Sequence, residues 1–571
     1  MRFVSRVLVS LMGAAAVVVA QENSPAAKPP KDARGGLRFV DTSEITIVGV
    51  DVSVSDGKTP VLGLGPEDFE VFQDGKRQQI TNFSAYHTAP EAVGAATAVR
   101  APLATVVPSP HPTSVPPAVA RQPRFLAIYV DNENIMPQNR NRIMGQVIEF
   151  VQQHLQPPDR VMVASYQRSL KIQQTFTSDP DEVADALRKM RRFTGARTDL
   201  VSSRRQIQDY IVENGDRPET LYRAYDRVEA FAKEQRNNLM FTVGAFKELV
   251  AMMSGLPGKK SILYLSDGLP MSPGMELFFE IQDRYRQPMA VSHARDYESS
   301  DLFRSLVTTA TASGVTLYAI DGRGLDSELG IEAENRTSRS SLGSAMAVSN
   351  YQDSLLFMVD QTGGMAILNA NDATDGLARI ANDLETYYSL GYRLVPSGDD
   401  RRHRVEVRVK GKPKLKLNYK ESFIEKSLAG RIADRVMSGL TFDLDDNPLG
   451  IELSASVAAP ADNNRWTLPV SISIPLDRIA LIPDRDELVG YVVVYYAARD
   501  DEGKQSDLQQ VEHQIRMTPK EYESRLKEPT TFTASLLLES GVYNISVGVR
   551  DQLTNQAGYA KMRQSVHPEG R

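Results

Sequence analysis

Two apolar stretches run straight into acidic residues. Phe125 to Val130 leads to Asp131-Asn132-Glu133-Asn134, and Ser261 to Leu265 leads to Ser266-Asp267-Gly268. Between them, Gly195-Ala196-Arg197-Thr198-Asp199-Leu200 reads as a loop entering a helix. In open α/β sheets the C-terminal strand ends and the helix N-termini meet in a crevice, where such sheets place ligands. Oxygen donors brought from separate loops to one sheet edge suit a hard cation such as Mg²⁺. The same carboxylates have a second use, since an acidic side chain after a strand can accept the orphan N–H groups of the next turn or helix. Both uses stay open at this level.

Signatures of catalysis are weak. Gly255-Leu256-Pro257-Gly258-Lys259-Lys260-Ser261 has the glycines and lysines of a phosphate loop, but it lacks the Gly-Lys-Ser/Thr ending and precedes a strand instead of following one. There is no Gly-x-Ser-x-Gly elbow and no His-Glu-x-x-His. The 7 histidines, among them His87, His154, His293 and His403, do not fall at ligand spacing, and with no cysteine a zinc site has little to draw on. A hydrolase working through Asp131, Glu133 and Asp267 on a metal-bound water would also need a positioned base or oxyanion donor, and none can be named. The expectation is a chain that is not an enzyme and has no catalytic residues.

Positioning these groups takes alternating elements. Phe125 to Val130, Val161 to Tyr166, Ser261 to Leu265, Val315 to Ile320 and Met365 to Leu368 read as strands. Asn139 to Leu155, Asp181 to Arg191, Glu219 to Met253, Ser300 to Ala312 and Ala373 to Leu390 read as helices. Alternation of this kind predicts a mostly parallel sheet with helices on both faces. Asp326 to Asn350, rich in Ser, Glu and Arg without a period, reads as a surface loop, and the charged pattern from Asp216 to Arg236 as a solvated helix face.

All-β segments flank this unit. Val48, Val50, Val52 and Val54 alternate with Gly49, Asp51, Ser53 and Ser55, and Asp74-Gly75 suits a tight hairpin turn. Val405, Val407 and Val409 alternate with charges farther on. Neither segment has enough strands to close a core alone, so 37–86 and about 401–424 are expected to complete one sandwich. Trp466 to Ile474, Gly490 to Ala497, Thr530 to Leu538 and Gly541 to Arg550 predict a second sandwich over 430–566.

Bulk properties fix the class and the compartment. With 571 residues, 41% of them hydrophobic and 24% charged, the chain should build several cores of ordinary globular type. Arg2 and Arg6, the apolar run Val7 to Val19 and the small residues ending at Ala20 form a secretory signal pattern over 1–20, followed by a polar lead over 21–36. No later stretch has the roughly 20 apolar residues of a membrane span. A secreted or periplasmic protein is expected. The formal charge is -6, and nucleic acid is not an expected partner, because phosphate binding needs clustered Lys and Arg. Residues 87–122, rich in Ala, Pro and Val without a period, read as a linker.

The order and spacing of Asp131, Thr198 and Asp267 resemble a von Willebrand factor A (VWA) domain with its metal-ion-dependent adhesion site, in which Asp-x-Ser-x-Ser, a Thr and Asp-Gly come from three loops. Glu133 and Ile135 stand where that pattern has its serines. Gly63-Leu64, Asp68-Phe69, Asp74-Gly75, Thr362-Gly363-Gly364 and Tyr387-Tyr388-Ser389-Leu390-Gly391-Tyr392 extend the resemblance to the acidobacterial-type VWFA-related subfamily, over about 44–422. The fold implied is an α/β VWA domain, Rossmann-like, over 123–396, with immunoglobulin-like sandwich segments at 37–86, 397–425 and 430–566. The implied ligands of a degenerate Mg²⁺ or Ca²⁺ site are Asp131, Glu133, Thr198 and Asp267. The implied role is binding an extracytoplasmic protein or matrix ligand, with the metal bridging to a partner carboxylate. The alternative is an envelope scaffold whose site is vestigial and holds no metal, since Mg²⁺ demands near-ideal octahedral ligation.

Overall fold

The computed structural model describes residues 46–57, 59–86, 123–195, 197–325, 341–394, 400–412, 414–444, 446–526 and 528–567. The signal segment 1–20, the lead 21–36, the linker 87–122, residues 326–340 of the expected surface loop and the first residues of the 397–425 segment lie outside them.

In chain order come β1 (Thr46–Ser55), β2 (Phe69–Gln73), β3 (Lys76–Gln78) and β4 (Ile80–Tyr86). There follow β5 (Arg124–Asp131), α1 (Pro137–His154), β6 (Arg160–Tyr166), β7 (Leu170–Thr177), α2 (Pro180–Met190), α3 (Arg197–Asn214), α4 (Leu221–Met253) and β8 (Lys259–Ser266). Next are α5 (Met275–Arg284), α6 (Ser300–Ala312), β9 (Val315–Asp321), α7 (Ser341–Thr362), β10 (Ala366–Ile367) and α8 (Thr374–Glu385).

The central sheet has the order β10-β9-β8-β5-β6-β7, parallel except for the edge strand β7. Because side chains alternate along a strand, β5 sends Ala127 and Tyr129 into a core with α4, α6 and α7, and Leu126, Ile128 and Val130 into another with α1, α2 and α8. Both faces are covered, which is why β5 and β9 read as unbroken apolar runs. Each fully buried Ile or Leu contributes about 1.5–3 kcal/mol to this arrangement. A third core, with Val228, Phe231, Phe278 and Ile281, joins α3, the first half of α4, α5 and the short helix Ala290–Tyr297 into a helical cap.

From α8 the chain enters β11 (Tyr387–Leu394), β12 (Arg402–Val409), β13 (Lys416–Tyr419) and β14 (Ser422–Ile424). One sheet has the order β13-β1-β11-β4 and a second β14-β12-β2-β3. Val50 faces Leu390 across the β1–β11 ladder, and Val71 faces Val407 across β2–β12. The inward residues Val50, Val52, Val54, Phe69, Val71, Leu390, Tyr392, Val405 and Val407 form one buried core.

Here the structure corrects the sequence reading. The helix expected over Ala373 to Leu390 stops at Glu385, and Tyr387 to Leu394 is a strand between β1 and β4. Tyr388, Leu390 and Tyr392 alternate inward, so period two wins over the weak helical pattern. The expected loop Asp326 to Asn350 is helical from Ser341, because Ala347, Tyr351, Leu355, Met358 and Val359 recur at helical spacing and are buried. The strand β7 and the helix α5 also went unseen in the sequence, and the helix expected after the Gly195 loop is α3, which already begins at Arg197.

The C-terminal unit opens with a helix, α9 (Leu428–Gly439), where only strands were expected. Ser427 caps it by accepting from Gly430 N at 3.1 Å, and Ile432, Val436 and Leu440 pack on Val493, Tyr495 and Ala497. Two antiparallel sheets then enclose a core that includes Leu468, Ile472, Val492, Leu536 and Ile545.

Gly363 has φ +72°, whereas Gly364 is needed for space: a Cβ there would lie 1.8 Å from the Leu317 carbonyl oxygen. Gly364→Val should therefore cost about 2–5 kcal/mol, as core overpacking does. Gly411→Ala, at φ +68° in open space, should cost only about 1 kcal/mol. Urea midpoints that fall equally for the two would contradict this.

Candidate functional site

β5, β8 and β9 end side by side, each in an aspartate: Asp131, Asp267 just past Ser266, and Asp321. All three are buried, with Asp131 and Asp267 both at 0% exposure. Burying a carboxylate without partners would be costly, so its acceptor capacity has to be met from inside the protein.

For Asp131 the partners are close. The Tyr264 hydroxyl donates to Oδ2 at 2.5 Å, and the Asn134 amide Nδ2 donates to Oδ1 and Oδ2 at 3.1 and 3.0 Å. The Asn134 backbone N–H donates to Oδ1 at 3.2 Å. Burial pushes the Asp131 pKa up to about 6, against the pull of Tyr264 and Asn134, and the nearby Glu133 charge adds to the rise. Asp267 accepts from the Met136 N–H at 2.8 Å and from Asn139 Nδ2 at 3.2 Å, which ties the start of α1 to the end of β8. Asp321 takes a two-pronged contact from Arg323 at 2.9 and 2.8 Å and a further hydrogen bond from Gln352 at 2.8 Å.

Helical elements roof this edge. A Cβ on Gly195 would lie 1.6 Å from the Asn132 carbonyl oxygen, so glycine lets the loop before α3 press on the end of β5. The buried Arg140 donates to Asn132 Oδ1 and to the Arg191 carbonyl, and the buried Arg197 guanidinium lies 4.9 Å from the Tyr351 ring centroid.

Of the four expected ligands, then, the structure brings Asp131 and Asp267 to one edge. Glu133 is half-buried near Asp131. Thr198 is exposed at the start of α3, its hydroxyl 4.0 Å from the Met136 sulfur rather than on a carboxylate. Ile135, at the second serine position of the pattern, is fully buried among Val130, Leu265 and Ile320. Among the described residues no group of three or more His, Asp or Glu side chains is placed to hold a metal ion. A hard divalent cation takes six or more oxygen ligands, and here the Asp131 carboxylate accepts from Tyr264 and Asn134 and the Asp267 carboxylate from Met136 and Asn139. The residues present do not fit a resident Mg²⁺ or Ca²⁺. Asp321, Tyr264 and Asn139 were missed in the sequence. Only Asp321 carried a signal, as one more strand-end acid.

No family model and no curated protein matches the chain. Among solved structures it is similar to an aerotolerance-related membrane protein from Bacteroides fragilis, at 13% identity over 45% of this chain and 98% of that one, with a TM-score of 0.22. It is similar to BatB from Bacteroides thetaiotaomicron, at 11% identity over 46% and 96% of the two chains, TM-score 0.22. A third is proximal thread matrix protein 1 from the mussel byssus with a zinc-occupied MIDAS motif, at 12% identity over 48% of each chain, TM-score 0.22. At scores this low the likenesses weigh nothing for function, which has to be read from the chain's own geometry.

Two variants check the pairing. Tyr264→Phe removes a donor from a buried carboxylate and should cost about 1–3 kcal/mol. The Asp131 carboxyl, at about 6 in the folded chain, lies above its unfolded value of about 3.9. Its contribution is therefore complete below that unfolded value and is lost as pH rises through the folded one. Asp131→Asn should lack this loss, so its urea midpoint relative to the wild type should rise across that window. A constant difference between the two would refute the assignment.

Proposed function

We propose that this chain is an exported, non-enzymatic interaction scaffold built on a VWA-type α/β domain, in which the carboxylates at the C-terminal sheet edge lock the loops instead of holding a partner-bridging cation. One observation carries the reading: Asp131 and Asp267 are wholly buried and paired with Tyr264, Asn134, Met136 and Asn139. A bridging cation needs ligands with spare lone pairs and an open coordination position facing the partner. Here the edge is closed from within and roofed by Arg197 and Tyr351.

Support for the VWA assignment comes from the sheet order β10-β9-β8-β5-β6-β7 with helices on both faces, together with the placement of Asp131 and Asp267 after adjacent strands. Export, to a secreted or periplasmic location, rests on the N-terminal signal pattern. Among the described residues no helix is long and apolar enough to cross a membrane. The partner is an extracytoplasmic protein or matrix ligand, bound without a metal bridge.

Calorimetry with Mg²⁺ and with Ca²⁺ should give no binding heat, and capture of a partner from envelope extract should be the same with and without a chelator. A saturable cation heat that disappears in Asp267→Ala, or chelator-sensitive capture, would return the site to an adhesion role. Turnover that requires a metal would make it a hydrolase.

A further inference from the structure

The opposite, N-terminal edge of the central sheet is built differently. Along β1 the odd positions Gly49, Asp51 and Ser53 point away from the sandwich core, and this polar face lies against the start of β8 and β9. Between the two surfaces is a cavity of about 390 Å³, large enough for a small molecule.

Lys259, Lys260 and Lys420 all line it. Lys420 Nζ donates to the Gly314 carbonyl at 2.5 Å. Lys260 Nζ donates to the Ser254 and Leu256 carbonyls at 3.0 and 3.1 Å, and lies 3.7 Å from where a Gly314 Cβ would stand. Both ammonium groups thus meet at Gly314. Lys259 donates to the Asp383 carbonyl at 2.9 Å and sits 4.3 Å from the Tyr387 ring centroid. Tyr387 stacks at 4.8 Å on Tyr86, which also lines the cavity.

Charges here do not cancel. Against the three lysines the cavity wall carries two carboxylates, Asp51 and Asp383. Asp383 is already engaged by the hydroxyl of Tyr318 and by Asn418 Nδ2. Lys420 has a single backbone acceptor for its three N–H groups, and its neighbours Lys260 and Lys259 repel it. An ammonium is a compact point charge that favours phosphate oxygens, and Tyr86, stacked on Tyr387, adds an aromatic wall to the same cavity.

We propose that this cavity binds a small phosphate monoester, its phosphate held by Lys420, Lys260 and Lys259 and its organic part lying against Tyr86. Geometry sets the site, and protonation should modulate it. Burial and the neighbouring lysines hold Lys420 down to about 7, and burial with Lys426 holds Lys260 down to about 8. The other charges acting on these groups are Asp51, Asp434, Arg435 and, on Lys259, Asp383 and Arg124. A bound dianion favours the protonated lysines, so binding should weaken as pH rises through that range.

The probe is phenyl phosphate, titrated into the full chain by calorimetry at fixed ionic strength, with ³¹P line broadening as a second readout. Saturable one-site binding is expected, with loss of affinity of about tenfold or more in Lys420→Met. Lys504→Met, a change at an exposed lysine outside the cavity, should leave affinity unchanged. Phenol should bind at least about tenfold more weakly than phenyl phosphate, since it lacks the charge-assisted contacts. Absence of saturable binding and of line broadening in the wild type would overturn the proposal. So would equal affinity in Lys420→Met, or an equal loss in both lysine variants, which would mark surface screening only. Because Lys420→Met removes a crowded buried charge it should fold, and its urea midpoint checks that.

Discussion

The architecture depends on one ladder, the pairing of Thr46–Ser55 with Tyr387–Leu394, in which Val50 meets Leu390 and Gly49 meets Gly391. These strands are separated by the whole α/β unit, yet neither flank can bury its valines without the other. Once they pair, the two ends of the α/β unit are brought to the same face of a sandwich. Asp383, in the last helix before Tyr387, ties the junction together. Its carboxylate takes hydrogen bonds from Tyr318 and Asn418, while its carbonyl accepts from Lys259 at 2.9 Å and from Ser53 at 3.4 Å. Strand, helix, central sheet and sandwich meet at this residue.

The two edges of the central sheet follow opposite electrostatic logic. At the C-terminal edge three aspartates are buried, and each is answered by donors from the protein: a tyrosine hydroxyl, asparagine amides, a backbone N–H or an arginine. Such a network rigidifies loops because each carboxylate has donors from other parts of the chain, and removing one partner strands another. At the N-terminal edge the lysines have carbonyl partners and few counter-charges, around open space. An edge closed from within is suited to holding shape. An edge with surplus charge and volume is suited to holding a ligand.

The C-terminal sandwich is attached through α9 rather than through a sheet. Its apolar side covers the β-sheet of that unit, while Arg435 reaches the Gly255 carbonyl at 2.8 Å and Ser438 accepts from Gly255 N at 2.9 Å. A Cβ on Gly255 would lie 2.4 Å from the Asp434 carbonyl oxygen, so the glycine that looked like part of a phosphate loop is there for close helix approach. Arg499 extends the same seam to Glu248 of α4 at 3.4 Å.

Periodicity and strand-end chemistry were legible in the residues alone. The unbroken apolar runs of Phe125–Val130 and Val315–Ile320 fixed buried parallel strands, the alternating valines of 48–54 and 405–409 fixed half-buried ones, and Asp131 and Asp267 marked one sheet edge. Where two periods competed, as in Tyr387–Tyr392, only packing could choose, because the same tyrosines and leucine fit a helix face until β1 and β4 offer a ladder on either side. Which donors reach the aspartates shows only in the folded chain. A carboxylate at a strand end can serve a cation or a hydrogen-bond donor, and the donors here come from residues distant in the chain: Tyr264 for Asp131, Asn139 for Asp267. The lysine cavity was equally invisible, since Lys259, Lys260 and Lys420 become neighbours only when the sandwich closes against the central sheet.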